Sequence, residues 1–249
     1  MHKTLINAIN LLKNVVTHEG TPEEITKAAS YLTACDECAN IHDRSYDDNK
    51  IRILVEKYCD EGTPNLNALN GAKRYKIGDV IDFTLNDGEE VSAMAVRQDT
   101  DGMVFIFVDC LAKEYSMNDN NINEGGYENS DLRWRLNSEI LDRLPSEIKN
   151  SLVKFDNGDY LRLPTEKEIF GENPYGENEP KTVAQFEPMK LRRNRIAFQG
   201  KEGDWEWYWL QNSVKGSAPH FARVSSLGYA NSTGASTSLG VRPCLKIKS

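Results

Sequence analysis

Three cysteine and histidine side chains near the N-terminus have the spacing of a metal site. Cys35, Cys38 and His42 are three and four residues apart, so they share one face if their segment is helical. Zinc would need a fourth ligand, such as Cys59 or water. Structural zinc knuckles place their close cysteine pair in a turn, whereas this pair falls within a predicted helix. We therefore favour buried thiols in a helix–helix contact over a metal site, and predict no cofactor.

A stretch rich in oxygen ligands, residues 118–125, has some features of a calcium loop. With Asp119 at position one, the glycine expected at position six is Glu124, and the acid expected at position twelve is Ser130. The standard calcium pattern is therefore absent, and a non-standard oxygen site stays open as the alternative.

The sequence lacks the common signatures of catalysis. It contains neither a phosphate-binding glycine motif nor a Gly-x-Ser-x-Gly elbow. His220 is the single histidine of the C-terminal half, so a catalytic triad would depend on this one base. Cys110 and Cys244 stand singly on predicted strands, where small core residues are expected. We predict that the protein is not an enzyme.

The C-terminal segment is basic and aromatic. Residues 190–249 carry ten Lys or Arg against three Asp or Glu, and residues 190–195 form a compact basic run. Together with the aromatic cluster at 205–209, this composition is compatible with nucleic-acid binding. However, residues 71–189 carry thirteen Lys or Arg against 24 Asp or Glu and can neutralise that charge. Nucleic acid is therefore the alternative to another macromolecular partner.

The same segment has the residue types of a recognition surface. Tyr and Trp provide rigid contact area, and Ser, Gly and Asn provide adaptable hydrogen bonds. Taken singly, Trp207 and Trp209 are expected in the core, since they alternate with Tyr208 along a strand. Arg242 is expected to be buried on carbonyls or on an acid such as Asp131. The predicted ligand-binding residues are Trp205, Trp207, Tyr208, Gln211, Asn212, Ser213, His220, Arg223, Tyr229, Asn231 and Ser232.

Length and composition define the class of protein. The chain has 249 residues, a formal net charge of −8 and 39 % hydrophobic residues. No apolar run reaches the roughly 18 residues that a membrane span needs, and the N-terminus lacks a signal-peptide pattern. We expect no membrane partner and synthesis in the cytoplasm.

The elements that must position these residues divide the chain in two. Leu5, Ile9, Leu12 and Val16 repeat at helical spacing, and residues 1–70 are predicted as a helical segment that anchors or oligomerises the chain. Residues 71–249 are predicted as a second domain. Its first three strands fall at 76–83, 90–97 and 102–108, joined by glycine-containing hairpin turns.

Helices and loops follow these strands. Ser130 is predicted to cap a helix whose Leu132, Leu136, Ile140 and Leu144 share one face, and a second short helix begins near Pro145. Further along, a short strand at 160–163, a helical turn at 165–170 and a long polar loop at 171–190 are expected. The fold class is therefore α+β, with antiparallel strands, two helices and long structured loops.

Five phrases in the second half occur together in a known family. They are IGDVIDF at 77–83, SDLRWRLN at 130–137, DYLRLPTEKE at 159–168, WYWLQNS at 207–213 and GVRPCL at 240–245. In this order the chain resembles a bacterial and phage domain family of unknown function, whose fold is similar to the C-type-lectin-like fold of formylglycine-generating enzymes. The resemblance implies that fold for residues 71–249. Those enzymes hold copper with a cysteine pair that has no counterpart here, so a cryptic related enzyme is kept only as an alternative.

The second domain also resembles the variable proteins of diversity-generating retroelements. In that group the hypervariable segment lies near the C-terminus and forms an exposed binding face, and residues 205–238 have the matching position and composition. The resemblance implies recognition of a protein or glycan partner. It also implies a phage particle, or release by a non-classical route, as the place of action.

Overall fold

The structure of the protein, a computed structural model, describes residues 75–248. The predicted helical segment 1–70 and the candidate metal ligands Cys35, Cys38 and His42 lie outside the described residues. The strands are β1 (Val80–Thr84), β2 (Glu90–Gln98), β3 (Gly102–Phe107), β4 (Tyr115–Ser116), β5 (Leu161–Arg162), β6 (Ala197–Phe198), β7 (Trp205–Glu206), β8 (Tyr208–Ser213), β9 (His220–Val224), β10 (Ala230–Gly234), β11 (Ser238–Leu239) and β12 (Cys244–Lys248). The α-helices are α1 (Asp131–Arg135), α2 (Leu141–Arg143), α3 (Ser146–Lys149) and α4 (Glu166–Phe170). This part of the chain is a mixed α and β domain, as predicted.

The largest sheet has five antiparallel strands in the order β1-β2-β3-β12-β5. Its first three strands confirm the predicted meander, and Gly88 adopts the positive φ of 91° that the β1–β2 turn requires. The C-terminal strand β12 returns to the centre of the sheet, where Leu245 pairs with Phe105 of β3 and Leu161 of β5. The C-terminal strand is therefore an integral part of the scaffold.

The helix that begins at Asp131 was predicted from its cap and its apolar spacing. The Ser130 hydroxyl accepts a hydrogen bond from the backbone N–H of Arg133 at 3.1 Å, which satisfies one free donor of the first turn. From α1 the chain continues through a π-helical turn, Leu136–Ile140, into α2. The predicted apolar face is buried in full, at Leu132, Leu136, Ile140 and Leu144. None of the described helices is both long and apolar enough to cross a membrane.

Two hydrophobic clusters cover opposite faces of the large sheet. All six residues of β3 are buried, and their side chains alternate between the two clusters. Phe105 and Phe107 pack with the apolar face of α1 and α2, whereas Val104 and Ile106 pack with Phe186 and its neighbours from the loop before β6. A strand covered on both sides is a fixed base for the surfaces built around it.

A second, three-stranded sheet has the order β10-β9-β8. Strand β8 contributes to both clusters, because Tyr208 and Leu210 belong to one and Trp209 to the other. Strand β10 is the outer strand, and none of its five residues is buried. The sheet is therefore anchored along β8 and reaches solvent along β10.

Candidate ligand-binding surface

Most predicted ligand residues meet on the three-stranded sheet. Eight of the eleven lie on its strands: Tyr208, Gln211, Asn212 and Ser213 on β8, His220 and Arg223 on β9, and Asn231 and Ser232 on β10. Trp207 and Tyr229 come immediately before β8 and β10, and Trp205 lies on β7. We refer to the solvent-facing part of β8, β9 and β10, with Trp207 and the 225–229 turn, as the β8–β10 surface.

Tyr208 does not belong to that surface, which corrects the prediction. Its side chain is fully buried. The hydroxyl donates to the carbonyl of Arg195 at 2.9 Å and accepts from Nη1 of Arg242 at 3.1 Å. Burial raises the pKa of Tyr208 to about 12. A ligand cannot reach this ring, so Tyr208 is a scaffold residue.

Gln211 and Asn212 are also committed to the scaffold, contrary to the prediction that they contact a ligand. Nε2 of Gln211 donates to the carbonyl of Leu163 at 2.6 Å. Oδ1 of Asn212 accepts from the backbone N–H of Glu166 at 2.7 Å, and its Nδ2 donates to Glu179 at 2.9 Å. Both amides are half-buried. Gln211 ties β8 to the segment between β5 and α4, and Asn212 ties β8 to α4 and to the loop that follows it.

That loop is fixed against the sheet by a buried carboxylate. Glu166 is fully buried and accepts hydrogen bonds from the backbone N–H groups of Tyr175 and Gly176, at 3.1 and 2.8 Å. Burial raises the pKa of Glu166, and the two N–H donors oppose that effect. A Cβ at Gly176 would lie 2.8 Å from Cβ of Asn212, so only glycine allows this close approach. Tyr175 in turn accepts from the backbone N–H of Lys215 at 2.9 Å, between β8 and β9.

The centre of the β8–β10 surface is a stacked pair, Trp207 and Arg223. Cζ of Arg223 lies 3.7 Å from the centre of a Trp207 ring. Trp207 is 40 % exposed, so the expectation that it is a core residue is wrong, whereas Trp209 is fully buried as expected. The two tryptophans differ because the Trp209 indole donates to the carbonyl of Tyr115 inside the core at 2.8 Å.

Arg223 is buried without the partners that a buried charge normally has. It is 8 % exposed, and its Nε and Nη1 are buried and donate to no acceptor in the described part of the chain. Burial lowers the pKa of Arg223, and nearby Tyr175 partly offsets that effect. Its cross-strand neighbour on β10 is Asn231, an exposed residue. The sequence singled out Arg223 but gave no sign of its burial.

A second cation–aromatic pair lies at the end of the β9–β10 hairpin. Cζ of Arg192 is 5.1 Å from the ring centre of Tyr229, and its Nη1 donates to the carbonyl of Leu227 at 3.1 Å. Tyr229 is 54 % exposed. A Cβ on Gly228 would meet the Arg192 carbonyl at 2.9 Å, so glycine lets the turn approach the basic run. Arg192 was not among the predicted ligand residues, because the sequence does not show that residues 190–195 lie against this turn.

A carboxyl pair supports the backbone of Trp207. The Trp207 N–H donates to Oε1 of Glu206 at 2.6 Å, and its carbonyl accepts from Gly240 at 2.8 Å. Burial is the main effect that raises the pKa of Glu206, to about 7; the Trp207 N–H opposes it, and the hydrogen bond and charge of Glu114 add to it. No local pattern predicts this pair, because Glu114 and Glu206 are far apart in the sequence.

The remaining predicted contact residues occupy less central positions. Trp205 is 46 % exposed on β7, and Ser213 and Ser232 are half-exposed on their strands. Oδ1 of Asn231 accepts from the Ser232 N–H at 2.7 Å. The backbone carbonyl of His220 accepts from Nδ2 of Asn123 at 2.9 Å, which joins β9 to the oxygen-rich segment 118–125.

Asp119, Cys110 and Cys244, the described residues with a candidate metal or thiol role, are part of the scaffold. The structure shows, within residues 75–248, no group of three or more His, Cys, Asp or Glu side chains that could hold a metal ion. Asp119 pairs with Arg135 at 2.9 Å. Cys110 and Cys244 are buried, as predicted, and burial raises the pKa of both thiols.

Arg242 is buried on carbonyls, as predicted, rather than on Asp131. Its Nε donates to the carbonyl of Phe107 at 2.6 Å, and its Nη1 donates to the carbonyl of Asn194 at 2.9 Å as well as to Tyr208. This arginine joins the large sheet to the segment that precedes β6.

Family models, curated proteins and solved structures were each compared with the chain, and nothing matches.

Proposed function

We propose that the protein recognises a macromolecular partner, protein or glycan, through the β8–β10 surface, without catalysis. The observation that carries this proposal is the Trp207–Arg223 stack, an exposed indole over a guanidinium whose Nε and Nη1 are buried without an acceptor. Tyr229 with Arg192 extends the same chemistry to the end of the hairpin. Trp, Tyr and Arg are the residue types that most often dominate binding energy at interfaces.

The scaffold beneath this surface supports the proposal. Gln211 and Asn212, which could have been adaptable contacts, are instead held in place. Gln211 donates to the Leu163 carbonyl, and Asn212 bonds to the Glu166 N–H and to Glu179. The exposed aromatic groups therefore start from a pre-organised position, which reduces the entropy lost on binding.

We further propose the C-type-lectin-like architecture and the bacterial and phage family for this domain. Residues in three of the five sequence segments that carry the resemblance have structural roles, which supports this proposal. Ser130 caps α1, and Thr165 and Glu168 form a capping box on α4. Arg242 joins two parts of the core. A hypervariable segment in the sense of a diversity-generating retroelement predicts a reverse transcriptase and a near-copy of the coding segment in neighbouring DNA. A phage particle, or release by a non-classical route, is the corresponding place of action.

The test compares a pair of exposed aromatic residues on the β8–β10 surface with one exposed tryptophan elsewhere. The full chain is screened against displayed protein libraries and a glycan array, and the affinity of each ligand is measured again on W207S/Y229S and on W134S. Trp134 on α1 is 64 % exposed and is a matched control of the same residue type. We expect the double variant to lose binding at least tenfold, and W134S to bind as the wild type does. Ligands that depend on Trp134 instead would contradict the proposed surface.

A further inference from the structure

Arg223 differs from the other deeply buried arginines of the domain in what surrounds its guanidinium. Arg162, 7 % exposed, donates to both carboxylate oxygens of Glu168 at 2.7 and 2.6 Å. Arg242, 1 % exposed, donates to two carbonyls and a hydroxyl. Arg223 is 8 % exposed and makes neither kind of contact through its buried Nε and Nη1. A buried cation without an acceptor lowers the stability of the free protein, so a structural role alone does not explain it.

We propose that Arg223 receives a carboxylate from an acidic segment of a partner protein, and that Trp207 covers the guanidinium until the partner binds. This inference rests on the proposed function of the β8–β10 surface and names the ligand chemistry of its centre. A planar guanidinium matches a carboxylate in geometry and charge, and a charge-assisted hydrogen bond is stronger than a neutral one.

The surroundings of Arg223 favour an incoming anion. No acidic residue of the described chain pairs with it, and its cross-strand neighbour on the solvent side is the uncharged Asn231. Arg192 adds a second cation at the other end of the surface. Lys215, in the β8–β9 connection, is already paired with Glu177 at 3.2 Å. The carboxylate that satisfies Arg223 therefore has to come from outside the described domain.

A protein ligand fits this surface better than a nucleic acid does. One deep arginine under an indole can bind a single carboxylate, whereas a phosphate backbone is usually followed by a row of exposed Lys and Arg. The exposed groups around it are Trp207, Tyr229 and Asn231, which are typical of protein recognition sites.

The indole of Trp207 supplies both the cover and a signal. Its backbone is held on both sides, by Glu206 and by Gly240, so a rotation of the side chain can uncover Nε and Nη1 of Arg223 without moving the strand. Binding of a carboxylate should therefore change the tryptophan emission, and W207F should lose most of that change.

The test uses a displayed library of random peptides panned on the full chain, with polygalacturonate and a thymidine oligonucleotide as the other carboxylate and phosphate probes. We expect Asp- or Glu-containing peptides to be selected. Their affinity should fall roughly 10- to 100-fold on R223Q, the fold-change that corresponds to one charge-assisted hydrogen bond. R223K keeps the charge but lacks the planar guanidinium, so its affinity should lie between those of the wild type and R223Q. R135Q changes a surface arginine on α1, which pairs with Asp119, and should bind as the wild type does.

A peptide in which the acidic residue is changed to Gln or Asn completes a double-mutant cycle with R223Q. We expect the two changes together to cost little more than either alone. Selected peptides without an acidic residue that bind R223Q normally, but not W207S/Y229S, would overturn this inference and leave the proposed function standing. Binding of polygalacturonate or of the oligonucleotide, with no peptide selected, would also overturn it. If W207S/Y229S keeps peptide binding, the proposed surface itself is wrong.

Discussion

Two buried arginines give opposite expectations for the same substitution. Arg223 and Arg242 are 8 % and 1 % exposed, and each lies over an aromatic ring, at 3.7 Å from Trp207 and 5.3 Å from Tyr208. Methionine has nearly the length of arginine and carries no charge. R223M removes a guanidinium that has two unpartnered nitrogens, whereas R242M removes one with three hydrogen bonds.

The magnitudes follow from these contacts. Each buried N–H without an acceptor costs about 1–3 kcal/mol, and the stacking on Trp207 returns up to about 2 kcal/mol. Two such nitrogens together cost about 2–6 kcal/mol, so R223M should be as stable as the wild type, or more stable by up to about 4 kcal/mol. R242M leaves two carbonyls and the Tyr208 hydroxyl without their donor, and should lose about 3–5 kcal/mol.

Thermal and denaturant unfolding of the full chain measure this difference. A gap of at least about 3 kcal/mol between the variants corresponds to roughly 6–12 °C in Tm for a domain of this size. R223M should at the same time lose affinity for acidic peptides. A loss of more than about 2 kcal/mol in R223M would show that the folded protein satisfies Arg223 internally, and would refute the reasoning that assigns it to a ligand.

Three further predictions concern the scaffold. E168Q should lose about 3–5 kcal/mol in denaturant unfolding, because buried Glu168 is the carboxylate that pairs with Arg162, and full stability of the variant would refute that role. N212A should lose about 1 kcal/mol of unfolding free energy and expose the loop after α4 to proteolysis. The matched variant N231A should change the unfolding free energy by less than about 0.5 kcal/mol. Equal effects of the two variants would contradict the assignment of Asn212 to the scaffold. Because the pKa of Glu206 is raised to about 7 from its usual 4.5, the folded protein holds an extra proton between those values, so wild-type stability relative to E206Q should fall as pH rises from about 4.5 to about 7. Tm values that stay parallel across that range would contradict the raised pKa.

Local signals predicted a large part of the scaffold. The alternation of apolar residues predicted β1 to β3, and Ser130 with four apolar residues at helical spacing predicted the helix from α1 to α2. These features depend on neighbours along the chain, so the sequence contains the information directly. The place of β12 between β3 and β5 depends on pairing over a long separation, which periodicity does not encode.

The sequence indicated the region of the candidate site, but it did not indicate which side chains of that region face solvent. Composition selected Trp207, Arg223 and Tyr229, which the structure places on β9 or directly before β8 and β10. It also selected Tyr208 and Asn212, because residue type does not show which side chains a fold turns inward. Whether a polar residue faces solvent or a distant backbone N–H is decided by tertiary contacts, and those contacts separate the scaffold from the surface here.

Amide hydrogen exchange of the full chain, with and without a ligand selected by display, tests the central claim most directly. The account predicts slower exchange in the ligand complex at β8, β9, β10 and the 225–229 turn, together with a change in Trp207 emission, and unchanged exchange from α1 to α2 around Trp134. Protection confined to α1 and α2, with the β8–β10 surface unaffected, would contradict it.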